Sequence, residues 1–369
     1  MDDELAERLA ARTLELVDVP SESRAEAALG AHVEQVLRDG GVAVRDAGDT
    51  CLLAGAAAAA GAEGAQRAPE PRPVVLLGGH FDTVPAQGNR PGHRDAFAVH
   101  GLGASDMQGA LAVMVELALA RAGRGGPLAL GYVFFGREEL PPAESALTPL
   151  LAREPQLRAA ALALMLEPTD NAVQAGCLGN INATWTFRGR SGHSARPWLA
   201  DNAIHRAARG IAALAAAPAE EHVHDGLRFT EVASVTRIAG GIAANVIPDA
   251  ATAHVNFRYA PGRSPAAAEA RLAELCAGHG ELRVDSNSPS APVAASDPLV
   301  RALRATGDLP LEAKQAWTPV AEFAAAGVPA VNFGPGDPRQ AHRRDEHVTV
   351  AALVRSYTVL DAFARSAAP

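Results

Sequence analysis

Apolar positions change their spacing several times along this chain, and each change marks a different kind of element. Residues 4–17 and 25–39 place apolar side chains every three to four positions, which predicts two amphipathic helices on either side of the turn Ser21-Glu22-Ser23. Short strands are expected near 43–46 and 51–54. The runs "VVLLGGH" (74–80), "LALGYVFF" (128–135), "AALALMLE" (160–167) and "AVNFG" (330–334) are apolar almost throughout, the pattern of strands covered on both faces. A long helix is expected over 106–123 and a closing helix over 349–367. Strands alternating with helices predict an α/β catalytic-type layer with a mixed, largely parallel sheet.

Near residue 180 the spacing becomes strict alternation. "NINATWTFRG" (180–189), "EVASVTRIAG" (231–240) and "ATAHVNFRYA" (251–260) read as strands with one open face, and 202–217 and 264–278 as the helices that cover the other. Strand–helix–strand–strand–helix–strand predicts a small α+β sandwich of the ferredoxin-like kind. The expected organisation is one domain from 1–179 and 291–369, interrupted by an inserted domain at 180–290. The Pro/Ser-rich stretch 285–298 reads as the linker out of it, and the Ala/Gly/Pro-rich stretch 55–73 as a mobile hairpin tip or loop.

Composition narrows the class. A chain of 369 residues exceeds one ordinary core, and 48% hydrophobic with 20% charged residues is the balance of a globular protein. A formal net charge of −9 with no basic run argues against nucleic acid or an anionic membrane surface as partner. No segment has the length of a transmembrane helix, the N-terminus is acidic and amphipathic rather than a signal peptide, and Cys51, Cys177 and Cys276 are scattered. A reducing, cytoplasmic setting is the expectation.

The polar clusters sit where strands end, the edge at which open α/β sheets form their sites. His80 and Asp82 follow the first apolar run; a metal-ligating His steadied by Asp, or a capped turn with a structural His, both fit. Asp106 follows a Gly-rich turn, where a metal ligand and a plain N-cap are alternatives. Glu138 and Glu139 leave the second run, and strand alternation lets neighbours serve two tasks or sit in a solvated turn. Glu167 ends the third run, where an isolated charge is costly unless paired or metal-bound, and His342 follows the last. His347 reads as a surface residue. Together the set offers two imidazoles and four carboxylates, a donor set suited to a pair of zinc ions with one acid left over.

These residues carry a resemblance. His80-x-Asp82 with Thr-Val-Pro, then "GASDMQG", "EE", "LEP" and "AHRRDEH", resemble the zinc-dependent aminoacylase/carboxypeptidase (M20-type) metallohydrolases over nearly the whole chain. "GHSARPWLADNAIH" and "AGGIAANVIPDAATAHVNFRYAP" look most like the actinobacterial succinyl-diaminopimelate desuccinylase type. The resemblance implies two zinc ions, with cobalt or manganese as substitutes, and hydrolysis of an N-acyl amino acid. It implies that His80 and Glu167 hold one ion, Glu139 and His342 the other, and Asp106 both. Asp82 would support His80, and Glu138 would be the general base. His193 would reach the reacting carbonyl from the partner subunit of a homodimer formed through the inserted domain. Asn245, Arg258 and Gly334 would contact substrate; for Arg258 a surface cation is the alternative.

Several positions depart from that pattern: Gln108 stands for the usual Lys, Gly136-Arg137 precede the paired acids, and Pro319 and Glu322 replace Asp and Arg. They leave open a deacylase of another N-acyl amino acid or dipeptide. A non-catalytic binding module would show decayed ligands, and none of the six is missing.

Overall fold

The computed structural model describes residues 3–59 and 72–366. The elements used below are, in chain order, α1 (Asp3–Asp18), α2 (Ala27–Asp39), β1 (Val44–Gly48), β2 (Cys51–Gly55), β3 (Val74–His80), α3 (Gly109–Arg121), β4 (Ala129–Phe135), α4 (Leu147–Arg153), β5 (Leu162–Met165) and β6 (Val173–Ala175). Then follow β7 (Gly179–Arg188), α5 (Ala203–Ala215), β8 (Glu220–His224), β9 (Leu227–Gly240), β10 (Ala250–Tyr259), α6 (Pro265–Cys276) and β11 (Glu281–Ser288). The chain closes with α7 (Pro298–Gly307), β12 (Leu311–Ala313), α8 (Val320–Ala325), β13 (Ala330–Asn332) and α9 (Val350–Arg365). It divides into two compact units, the second being Gly176–Val293 with Ala313–Trp317.

The first unit is built on an eight-stranded mixed sheet, ordered β1-β2-β4-β3-β5-β13-β6-β12. Its four central strands, β4, β3, β5 and β13, run parallel, and the flanking β1, β2 and β6 pair antiparallel. β5 is buried at every position and β3 at all but its first, as the unbroken apolar runs require. Helices α1, α3 and α9 pack on one another. Gly109 to Ala118 of α3 are buried on every face, including Glu116, whose carboxylate accepts from Arg8 Nε and Arg12 Nε at 3.0 Å each. A buried acid is tolerated there because both of its oxygens are met by guanidinium groups.

The second unit is an antiparallel sheet ordered β8-β9-β10-β7-β11, with α5 and α6 against one face. Alternate residues of β7 (Ile181, Ala183, Trp185, Phe187) and β10 (Ala251, Ala253, Val255, Phe257) fill the core with Ala207 and Leu214 of α5 and Leu272 and Cys276 of α6. β8 adds a hairpin that alternation alone did not reveal. It pairs only with Leu227–Glu231, so among the described residues Val232–Gly240 is paired on one side only, by β10.

Three local expectations change. The helix expected from residue 106 starts at Gly109. Residues Ala104–Gln108 form an irregular turn in which Asp106 (φ −128°, ψ 86°) and Met107 (φ −139°, ψ 37°) are not helical, so Asp106 is not an N-cap. The expected linker 285–298 begins as strand: β11 runs to Ser288, and Tyr259 Oη donates to Asn287 Oδ1 at 2.8 Å. Of the expected loop 55–73, Gly55 ends β2 and Ala56–Ala59 make one helical turn, while 60–71 lie outside the described residues. Helices α4, α7 and α8 were not anticipated.

Candidate metal centre

Parallel β3, β4 and β5 end at one edge, and their exits carry the site. His80 is the last residue of β3, Glu138 and Glu139 follow β4, Glu167 follows β5, and His342 lies in the loop after β13 at a left-handed φ of 62°. The Ala104–Gln108 turn delivers Asp106 between the two imidazoles. His80 Nε2 lies 3.3 Å from Asp106 Oδ1, and His342 Nε2 lies 3.6 Å from Asp106 Oδ2 and 2.9 Å from Glu139 Oε1. Donor atoms of His80, Asp106 and Glu167 converge within 4.8 Å, as do those of Asp106, Glu139 and His342, and those of His80, Glu138 and Glu139. Asp106 belongs to two of these groups.

The electrostatics show how much positive charge the cluster calls for. Burial first, and then the charges of Glu167, Glu139 and Asp106, push the Glu138 carboxyl well above its ordinary range. Burial alone would lower the His80 imidazole, but the bond to Asp106 and the charges of Glu138, Asp82 and Glu167 outweigh it and raise it well above the usual value. The hydrogen bond that His342 donates to the Glu139 carboxylate raises the imidazole to about 9. Glu138, His80 and His342 thus hold protons more tightly than usual, and divalent cations displace protons from such ligands. The donor set, N and O only, fits zinc or a similar ion.

Asp82 is buried, and its carboxylate does not make the closest contact to His80. His80 Nδ1 lies 2.8 Å from the Asp82 backbone carbonyl and 3.6 Å from Oδ1. The carboxylate instead accepts from the Glu138 N–H (2.9 Å), the Glu139 N–H (3.1 Å) and Ser23 Oγ (2.8 Å). One residue therefore fixes the imidazole with its carbonyl and the paired acids with its side chain. Gln108 is buried and donates to Ser21 Oγ and the Phe81 carbonyl.

Of the departures flagged in the sequence, Arg137 and Glu322 tie neighbouring segments together by hydrogen bonds. A Cβ on Gly136 would lie 2.3 Å from Glu26 Oε1 and 2.5 Å from Thr50 Oγ1, so a larger residue there would have to displace those side chains. Arg137 donates to the Glu144 carbonyl and to Asp49 Oδ1, both at 2.7 Å. Glu322 is largely buried and accepts from Ser145 Oγ at 3.0 Å and Thr148 Oγ1 at 2.5 Å. Gly334 is held by close packing: a Cβ would meet the Leu166 carbonyl at 2.2 Å, and its N–H and C=O are engaged by Thr169 Oγ1. Sequence reasoning missed Glu346, whose carboxylate accepts three backbone N–H groups around Asp106; burial raises it to about 7. The quoted motif "AHRRDEH" contains it, but an acceptor of backbone amides leaves no spacing signal.

His193, Asn245 and Arg258 belong to the second unit. His193 is exposed, and its Nδ1 accepts from the Ala195 N–H at 3.0 Å, which places the ring proton on Nε2. The Asn245 carbonyl accepts from the Ser194 N–H, so the two loops are adjacent. Arg258 Nε donates to Asn256 Oδ1 at 2.9 Å; among the described residues no carboxylate forms an ion pair with it, and burial lowers its pKa. All three cysteines are free and buried, and among the described residues no helix is long and apolar enough to cross a membrane.

The chain was compared with known proteins. Residues 76–366 match the family described as Peptidase family M20/M25/M40. A Mycobacterium tuberculosis protein named as a candidate succinyl-diaminopimelate desuccinylase is 38% identical over 350 residues, 94% of this chain and 95% of that one. The succinyl-diaminopimelate desuccinylase of Corynebacterium glutamicum is 34% identical over 94% of each chain. The N-acetyl-L-citrulline deacetylase of Xanthomonas campestris is 33% identical over 77% of this chain and 79% of its own. Among solved structures, a Staphylococcus aureus tripeptidase superposes with a TM-score of 0.76 at 18% identity, covering 98% of both chains. With four fifths of its length matched and a fold shared end to end, this chain belongs to the M20/M25/M40 family of metal-dependent hydrolases.

Proposed function

We propose that this chain hydrolyses N-succinyl-LL-2,6-diaminopimelate to succinate and LL-2,6-diaminopimelate, with two zinc ions in its site. The observation that carries the reading is the 38% and 34% identity, over 94% of the chain, with relatives given that activity by name. His80 and Glu167 would hold one ion, Glu139 and His342 the other, and Asp106 both; cobalt or manganese would suit the same donors. Such a pair supplies an acidified water and a polarised carbonyl.

The chain's own residues do the rest. Glu138 takes the water's proton as its oxygen adds to the succinyl carbonyl, then passes that proton to the amine nitrogen as the C–N bond breaks. Asp82 keeps Glu138 and Glu139 in place through their amides. His193 donates Nε2–H to the carbonyl oxygen as it gains charge, supplied by the second copy of a homodimer. Arg258 and Asn245 hold the substrate's carboxylate end. The three free thiols are in keeping with a cytoplasmic enzyme.

A second reading, a deacylase of another N-acyl amino acid, is favoured by the citrulline-deacetylase relative. The two separate in one experiment. Zinc-loaded protein is assayed against N-succinyl-LL-diaminopimelate, N-acetylornithine, N-acetylcitrulline and dipeptides. The first reading requires the highest kcat/KM on the succinylated diamine, and a preference for any other member assigns the second.

A further inference from the structure

Glu346 is buried, and both of its oxygens face backbone amides of one turn. Oε1 accepts from Ser105 N–H and Asp106 N–H, and Oε2 accepts from Gly103 N–H, each at 2.9 Å. Its own carbonyl accepts from Gly101 N–H at 3.0 Å. From the other side Ser105 Oγ donates to the Asp337 carbonyl, and a Cβ on Gly336 would meet the Ser105 carbonyl at 2.2 Å. The segment Gly101–Asp106 is thus pinned at four of its amides by one residue, and packed against the loop that leads towards His342. Asp106 has a non-helical backbone there, so regular helix geometry does not set its orientation. A carboxylate accepting three N–H bonds is a strong, directional anchor.

We propose that Glu346 is the positioning residue of the metal pair: it locks the Gly103–Asp106 turn so that Asp106 presents one oxygen towards His80 and the other towards His342. It acts through Asp106 and touches neither metal nor substrate, and it rests on the two-metal reading above. Groups that orient a ligand in this way change metal affinity by about 10- to 100-fold when removed. Glu346→Gln is nearly isosteric: it keeps one acceptor oxygen and turns an NH2 group against an amide. Glu346→Ala removes all three bonds.

The test is titration of metal-free full-length protein with Co2+ and Zn2+, followed by calorimetry and by the Co2+ absorption spectrum. The wild type is expected to bind two ions. Glu346→Gln is expected to bind the second about 10-fold more weakly, and Glu346→Ala about 100-fold more weakly, with a changed Co2+ spectrum. Metal-free Glu346→Gln is expected to melt within a few degrees of metal-free wild type, and it is the deciding variant if Glu346→Ala does not fold. Wild-type stoichiometry, affinity and spectrum in Glu346→Gln overturn the proposal while leaving the metal reading intact. A wild-type chain that takes up no divalent ion overturns both.

Discussion

The Asp82 carboxylate is taken up by the Glu138 and Glu139 amides, which in the proposed function leaves the Glu138 carboxylate for the proton. Glu138 is central to the proposed chemistry and is in no metal pair by assignment. Glu138→Gln should therefore lower kcat by about 10²–10⁴ while two ions stay bound, as checked by turnover and metal analysis on the same sample. Asp82→Asn places an NH2 group against the Glu138 or Glu139 N–H, and should cost about 10- to 100-fold in kcat with zinc binding weakened. Wild-type turnover in either variant would remove that residue from its role. At this scale the residue types were legible and the bonding was not. The His80-x-Asp82 spacing could be read from the sequence, because two residues apart at a strand exit face one way. That the imidazole is closest to the Asp82 carbonyl, with the carboxylate turned to Glu138 and Glu139, depends on where β4 ends relative to β3, which no local pattern encodes.

Glu322 ties two short helices together and shows how an element can absorb a charge change. It sits on α8, and Ser145 and Thr148 at the start of α4 donate to the same oxygen. Burial raises its pKa above the ordinary carboxyl value, against the lowering effect of those two hydroxyls. The folded state therefore binds a proton more readily than the unfolded chain. The stabilisation is fully present below the unfolded pKa of about 4.5 and is lost as pH rises through the folded value. Glu322→Gln keeps the accepting oxygen and removes the buried charge, so it should raise stability at pH 7 by about 1 kcal/mol and remove this residue's share of the loss above pH 4.5. Thermal melts of both proteins between pH 4 and 8 measure this, and equal slopes would show that the carboxylate is already compensated. The sequence offered this position as one that could change substrate choice; its contacts show that it also braces α4 against α8. Central strands and long helices were legible because their apolar runs are continuous or periodic. The short helices α4, α7 and α8 and the edge strand β8 were not, because five to ten residues carry too few repeats to set a period.

At the level of the whole molecule, bound ions and a second copy would each add stability. Ions that bind only the folded site add RT ln(1 + [L]/Kd), about 2.7 kcal/mol at a hundredfold excess over Kd, so a chelator should lower the melting temperature and zinc should restore it. The proposed homodimer would form through the second unit. Residues Val232–Gly240 present a sheet edge that is unpaired on one side among the described residues, with Arg237 as its single charge and Ile238 56% exposed. Ile242, just beyond it, is 89% exposed. Uncovered strand edges with apolar side chains are templates for pairing, and a copy of the same edge related by a two-fold axis satisfies both at once. The chain should therefore sediment as a dimer at micromolar concentration. Ile238→Lys puts a charge into that edge at a position already open to solvent, so it should shift the equilibrium to monomer by at least tenfold in Kd while leaving the fold intact. Because His193 is assigned to the opposite active site, the monomer should also lose turnover with its metals still bound. Sedimentation, circular dichroism and metal content on one preparation separate the outcomes. A monomeric variant with full kcat would break the link between assembly and catalysis, and an Ile238→Lys protein that stays dimeric would move the interface away from this strand.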